Sequence, residues 1–209
     1  PEVSAVPGLL LAPDGPRLLY VMAHGAGAGM RHPFLEAVAQ ALLARGVATF
    51  RYEFPYMEKG TRRPDPPEVA MARVRDAVAE AAHERPGVPL IAGGKSFGGR
   101  MTSGAQAESP LKGVRGLVFL GFPLHPPGKP GTERAAHLER VSVPMLFLQG
   151  TRDEFAKLDL LTPLVRRLGP RATLHLVEGG EHSFKVPKRP PADVIAELAD
   201  AIRGWAAQL

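Results

Sequence analysis

Cysteine is absent from this 209-residue chain. Its absence rules out disulfides, thiolate zinc sites and a cysteine nucleophile together. Asparagine is also absent and glutamine is sparse, while prolines number 22. Few thermolabile residues and proline-stiffened loops are on the usual thermophile menu, although a GC-rich genome biases composition the same way. No apolar run approaches the roughly 18 residues needed to cross a bilayer, and no signal-peptide pattern is present. The expectation is a soluble, cytoplasmic protein with no membrane partner.

A strong excess of one charge is lacking too. The formal net charge is +5, but the basic residues are scattered among Asp and Glu, and Arg62-Arg63, Arg166-Arg167 and Lys188-Arg189 are only pairs. Without a basic stripe interleaved with aromatics, no specific nucleic-acid partner is expected. What the chain has is apolar material, 44% of its residues. That fraction and length suit one compact domain over residues 1–209.

Short apolar runs alternate with longer helical patterns. Leu18–Ala23, Val47–Phe50, Pro89–Ala92, Gly116–Phe122, Pro144–Leu148 and Ala172–Val177 read as strands. Phe34–Arg45, Val69–His83, Phe97–Ala107, Asp159–Leu168 and Ala192–Leu209 read as helices, and the segment up to Leu11 as one further antiparallel strand. Strands apolar throughout, each followed by a helix, predict an α/β protein with a doubly wound, mostly parallel sheet flanked by helices. Ligand sites in such sheets lie outside the strands' carboxyl ends, so the loops there carry the chemistry.

The stretch GGKSFGGR (93–100) offers two incompatible readings. A P-loop needs a glycine five residues before Gly94, where Pro89 stands, and Leu90-Ile91-Ala92 occupy the would-be loop. The dinucleotide fingerprint fails similarly in HGAGAGM (24–30), where Met30 or His32 takes the place of the third glycine. The pattern Gly94-x-Ser96-x-Gly98 between a strand and a helix fits a nucleophile elbow instead.

A serine hydroxyl is a poor nucleophile unless an oriented base removes its proton. In this architecture the order is Ser, then an acid, then His, each after a later strand. Asp153 follows the strand ending at Leu148 and His182 follows the strand ending at Val177. Either residue alone is an ordinary loop residue; the joint pattern of three roles in the right order makes Ser96, Asp153 and His182 the candidate triad. Glu154 and Asp159 compete with Asp153, but Asp159 opens a helix and suits an N-cap. His175 competes with His182 but lies inside a strand. The oxyanion donors are read as the N–H groups of Phe97 and Ala26, with Gly27 behind Ala26 and His24 tying the loop down. No metal or other cofactor is expected, because no ligand set of the His-Glu-x-x-His kind occurs.

With these residues the chain resembles the α/β-hydrolase superfamily, in its small lidless branch near the dienelactone hydrolases. With VMAHGAGAGMRHPF, GGKSFGGRM, GFPLHPPGKPG, LFLQGTRDEF and GGEHSF added, nearly the whole chain resembles a narrower α/β-hydrolase-like family. That family includes bacterial predicted hydrolases, testis-expressed vertebrate relatives and a subunit of a chromatin-modifying complex. The resemblance implies the fold and matches Ser96, Asp153 and His182 to the triad positions; it implies no substrate.

About twenty residues, rich in proline, separate Phe122 from Val143, too few for a lid domain, so an open site is expected. Phe54 and Tyr56 either line an acyl pocket or pack their own loop. Lys95 and His125, with Arg31, His32, Arg100 and Lys129, are placed near the mouth, where they would favour an anionic substrate. The leading expectation is a serine hydrolase acting on a small-molecule ester, thioester or amide. The alternatives are a non-catalytic interaction protein on the same fold, or acyl transfer by the same triad. Composition and motifs leave the oligomeric state open.

Overall fold

The computed structural model describes residues 6–209. Its strands are β1 (Gly8–Leu11), β2 (Leu18–Ala23), β3 (Val47–Tyr52), β4 (Leu90–Lys95), β5 (Val114–Leu120), β6 (Met145–Gly150) and β7 (Ala172–Val177). They form one sheet in the order β1-β3-β2-β4-β5-β6-β7. β1 runs antiparallel to β3, and the other pairings are parallel. The helices are α1 (Pro33–Leu43), α2 (Pro55–Glu58), α3 (Pro67–Glu84), α4 (Phe97–Glu108), α5 (Leu158–Leu168) and α6 (Pro191–Ala206). None is long and apolar enough to cross a membrane among the described residues.

Burial on both faces explains the unbroken apolar strands. Side chains alternate along a strand, so β2 sends Leu19, Val21 and Ala23 into one layer and Leu18, Tyr20 and Met22 into the other. Helices α3, α4 and α5 cover the first layer with Val74, Val78, Met101, Leu161 and Leu164. Helices α1 and α6 cover the second, and α6 does so with Val194, Leu198, Ile202 and Trp205, spaced to share one helical face. Proline opens α1, α3 and α6, where its missing N–H would have had no helical partner.

Chain direction across the sheet reverses between β2 and β4. From β2 the chain steps outward to β3, then returns through α3 to β4 on the other side and continues to β7. Such a reversal makes the loops after β2 and β4 diverge and leaves a crevice at the strands' carboxyl ends. Ala23 pairs with Gly94 at that edge. The loops after β4, β5, β6 and β7 then follow one another along the same edge.

Several elements differ from the sequence reading. The antiparallel strand is present as Gly8–Leu11, while residues 1–5 of the proposed segment lie outside the described residues. The proline-rich loop before α3 contains the short α2, and a 3₁₀ segment, Glu133–Arg140, fills the connection after β5. It packs Ala135 and Leu138 into the core where a lid would otherwise be inserted. Asp159 is not an N-cap: Lys157 holds that position, and Asp159 sits in the first turn, where its charge suits the helix dipole.

Candidate active site

Ser96 joins β4 to α4 with φ 48° and ψ −115°, a conformation that costs a non-glycine residue on the order of 1–3 kcal/mol. The glycines around it permit the turn by close approach. A Cβ on Gly94 would overlap the Ala23 carbonyl, and one on Gly98 would lie 2.5 Å from His24 O and 2.7 Å from Ala23 Cβ. Gly98→Ala is therefore expected to destabilise the fold by about 3 kcal/mol through overpacking against backbone. Urea unfolding checks this; a loss below about 0.5 kcal/mol, the range of a neutral surface change, would contradict it.

His182 arrives from the other side of the edge. Three strand spacings separate β4 from β7, about 14 Å, and the β7–α6 connection folds back to span them. Its imidazole Nε2 lies 2.9 Å from Ser96 Oγ, and its Nδ1 lies 2.8 Å from Asp153 Oδ2. A carboxylate only accepts, so Nδ1 carries the hydrogen and Nε2 presents its lone pair to the hydroxyl. The Phe155 ring leans on the imidazole at 4.2 Å between centroids.

Asp153 is 4% exposed, and a buried carboxylate needs donors. It has three: His182, Gln149 Nε2 at 2.5 Å on Oδ2, and the Phe155 N–H at 2.8 Å on Oδ1. Gln149 is itself buried and accepts the Phe122 N–H with its Oε1 at 2.9 Å. Its role was not foreseen. The available signal was a lone polar side chain at the carboxyl end of an apolar strand.

The loop after β2 lies beside the hydroxyl, with a Cβ on Gly25 falling 3.9 Å from Ser96 Cβ. His24 ties this loop down, as expected. It is fully buried, and burial lowers its pKa, so it sits neutral. Its Nδ1–H donates to Gly25 O at 2.7 Å, and its Nε2 accepts the Phe54 N–H at 3.1 Å. The Gly27 N–H goes to Tyr56 Oη at 2.9 Å and the Ala28 N–H to Gly25 O at 3.2 Å. Those two bonds leave the exposed Ala26 to offer its N–H. Phe97 opens α4, so its N–H has no intrahelical acceptor.

All four of the expected substrate contacts need correction. Phe54 and Tyr56 are 0% and 2% exposed and pack edge-on against His24 and Phe97, so they fill the loop and do not line an acyl pocket. Tyr56 instead pins the loop after β2 by accepting the Gly27 N–H. His125 is buried, with Nδ1–H donating to Pro126 O and Nε2 accepting the Lys157 N–H, which fixes the loop after β5. Lys95 turns inward, its Nζ donating to His182 O at 2.7 Å. With Lys95 and His125 so engaged, the cationic mouth loses two of its members. Two hollows lie away from Ser96. One of about 560 Å³ is bordered by Val78, Ala82 and Leu111, and one of about 750 Å³ by Arg17, Arg115 and Arg203.

A strained serine at a strand-to-helix corner, with an imidazole and a carboxylate in line behind it on a doubly wound sheet, defines the class of α/β hydrolases by architecture. The family model of the alpha/beta hydrolase domain matches residues 16–208, and the chain belongs to that family. Solved structures share the fold. A dienelactone hydrolase from Anabaena variabilis ATCC 29413 is 21% identical with a TM-score of 0.76, covering 96% of this chain and 90% of that one. XC6422 from Xanthomonas campestris, described as a serine hydrolase without a lid, is 20% identical with a TM-score of 0.74, covering 95% and 88%. A cold-adapted esterase from an Arctic intertidal metagenomic library is 22% identical with a TM-score of 0.67, covering 95% and 88%.

Proposed function

We propose that this chain is a serine hydrolase that cleaves a small ester, thioester or amide through an acyl-enzyme. Ser96 Oγ attacks the carbonyl carbon while His182 Nε2 takes its proton. Asp153 holds the imidazole in the Nδ1–H tautomer and stabilises the imidazolium. The N–H groups of Ala26 and Phe97 receive the oxyanion, and His182 returns the proton to the leaving group. A water activated by the same imidazole then hydrolyses the acyl-enzyme, and Ser96 regains its hydrogen.

The observation that carries this reading is the pair of contacts at 2.9 and 2.8 Å on opposite nitrogens of one imidazole. The strained φ of Ser96 supports it independently, since such strain persists only where the surroundings enforce it. Within the family, the motifs GKSFGGR and PLHPPGKP favour the group that holds testis-expressed relatives and a chromatin-complex subunit. The reading further takes the chain as one cytoplasmic domain that acts on small molecules without a cofactor or nucleic acid.

A panel of small p-nitrophenyl esters, thioesters and anilides of graded acyl length tests the proposal. Turnover of at least one member, lost in Ser96→Ala, is expected; no turnover across the panel, with the fold intact, would favour an interaction protein. Ala26→Pro removes the proposed oxyanion N–H. It is expected to lower kcat by about a hundredfold to a thousandfold, the cost of one such donor. Steady-state kinetics on the best ester reads this, and an unchanged kcat would remove Ala26 from the role.

A further inference from the structure

Lys95 lies between the glycine that shapes the turn and the serine it presents, yet the hydrolytic scheme above gives it no task. Its side chain is committed to one place. Nζ donates to His182 O at 2.7 Å and stands 5.5 Å over the Phe184 ring. A Cβ built on Gly121 would lie 3.1 Å from Lys95 Nζ, 3.5 Å from His182 Nδ1 and 3.6 Å from Asp153 Oδ2. The ammonium, the imidazole and the carboxylate therefore crowd around a single point beneath the loop after β5.

The segment that Lys95 grips needs gripping. Residues 181–190 carry His182 on a connection whose side chains are largely exposed, Phe184 being the buried exception. Phe184 has φ 62°, in the left-handed region that non-glycine residues seldom enter. Its ring is held on one side by the Lys95 cation and stacks on Phe34 with centroids 5.6 Å apart. Within the loop, the Phe184 N–H bonds to Glu181 O and the Glu181 N–H to Lys185 O. Those bonds shape the loop but do not fasten it to the strand that bears Ser96. The Lys95 bond does.

We infer that Lys95 is a positioning residue of the site, fastening the His182 carbonyl to the strand that leads into Ser96. The inference rests on the proposed hydrolytic role of Ser96 and His182. The bond sets the distance from Nε2 to Oγ, and displacement of a catalytic group by about 1 Å can cost a hundredfold in rate. Burial lowers the pKa of Lys95 itself to about 8, against a raising pull from Asp153.

Two variants test the bond. Lys95→Gln keeps a donor for His182 O; Lys95→Met loses it. Lys95→Met is expected to lower kcat by about tenfold to a hundredfold with KM little changed, and Lys95→Gln to recover most of kcat. Hydrogen exchange of the backbone amides of residues 181–186, read without any turnover, is expected to quicken in Lys95→Met and to stay near the wild-type rate in Lys95→Gln. Wild-type kcat in Lys95→Met, or unchanged exchange there, would overturn the assignment. If the wild type shows no Ser96-dependent turnover, the hydrolytic reading falls, and the exchange still decides whether Lys95 holds the His182 loop.

Discussion

Ser96→Ala is expected to abolish ester turnover, by about a million-fold in kcat if the triad acts as a unit. The residue accepts no compensation from its neighbours. Its hydroxyl is the one that His182 Nε2 faces at 2.9 Å, and the turn aims it at the open edge of the sheet. Alanine keeps the Cβ and the turn, so stability should change by no more than about 0.5 kcal/mol, and the loss is chemical. A built-in control exists. Ser103 Oγ lies 2.7 Å from His137 Nε2, a second serine–histidine pair. That pair is structural: Ser103 is 0% exposed, its hydroxyl donates to Arg100 O at 3.0 Å, and among the described residues no acid pairs with His137. Burial, aided by Arg100 and Arg140, holds His137 down to about 4. Ser103→Ala should leave kcat within about twofold, since it removes a tie between α4 and the 3₁₀ segment and nothing at the reacting centre. Equal losses from both serine variants would point to a general effect of folding instead.

Asp153→Asn is the second large effect, expected at about ten-thousandfold in kcat. All three groups around the carboxylate are donors: Gln149 Nε2, the Phe155 N–H and His182 Nδ1–H. An asparagine must turn its NH₂ toward at least one of them. If it faces His182, the imidazole shifts its hydrogen to Nε2 and can no longer accept from Ser96. If it faces Gln149 or Phe155, a buried donor loses its partner, with a cost of about 1–3 kcal/mol. Both routes cost, and the first removes the base. Glu154→Ala and Asp159→Ala are the matching controls, because both carboxylates are exposed. Stopped-flow or steady-state kinetics on one ester, with unfolding curves alongside, checks all three. A near-normal Asp153→Asn with a crippled Glu154→Ala would reassign the acid.

Much of this was legible in the sequence because the signals involved are local. Strand pleating and helix period are written in neighbouring residues, so β7 falls at Ala172–Val177 as read and α5 begins one residue early. The strand–Gly-x-Ser-x-Gly–helix passage names its own corner. Order along the chain, with each partner just past a strand, was enough to bring Ser96, Asp153 and His182 under suspicion before any distance was known. The misreadings concern long or aromatic side chains whose direction only tertiary neighbours decide. Lys95 reads as a mouth cation because it flanks the nucleophile, yet β4 ends with its side chain folded back toward the His182 loop. Tyr56 reads as equally fit for pocket or packing, and a single acceptor contact with the Gly27 N–H decides its role. His125 and Gln149 hold loops by hydrogen bonds to backbone groups far away in sequence. No spacing rule announces such bonds, because both partners are brought together only by the sheet.

The central claim is that one hydroxyl of this chain forms a covalent bond with its substrate. Treatment with a fluorophosphonate, then intact-mass measurement and peptide mapping, tests it without knowledge of the natural substrate. The account predicts one adduct per chain, located on Ser96, formed far more slowly when His182 is replaced by alanine. No adduct on the folded protein, or an adduct on another residue, would contradict it.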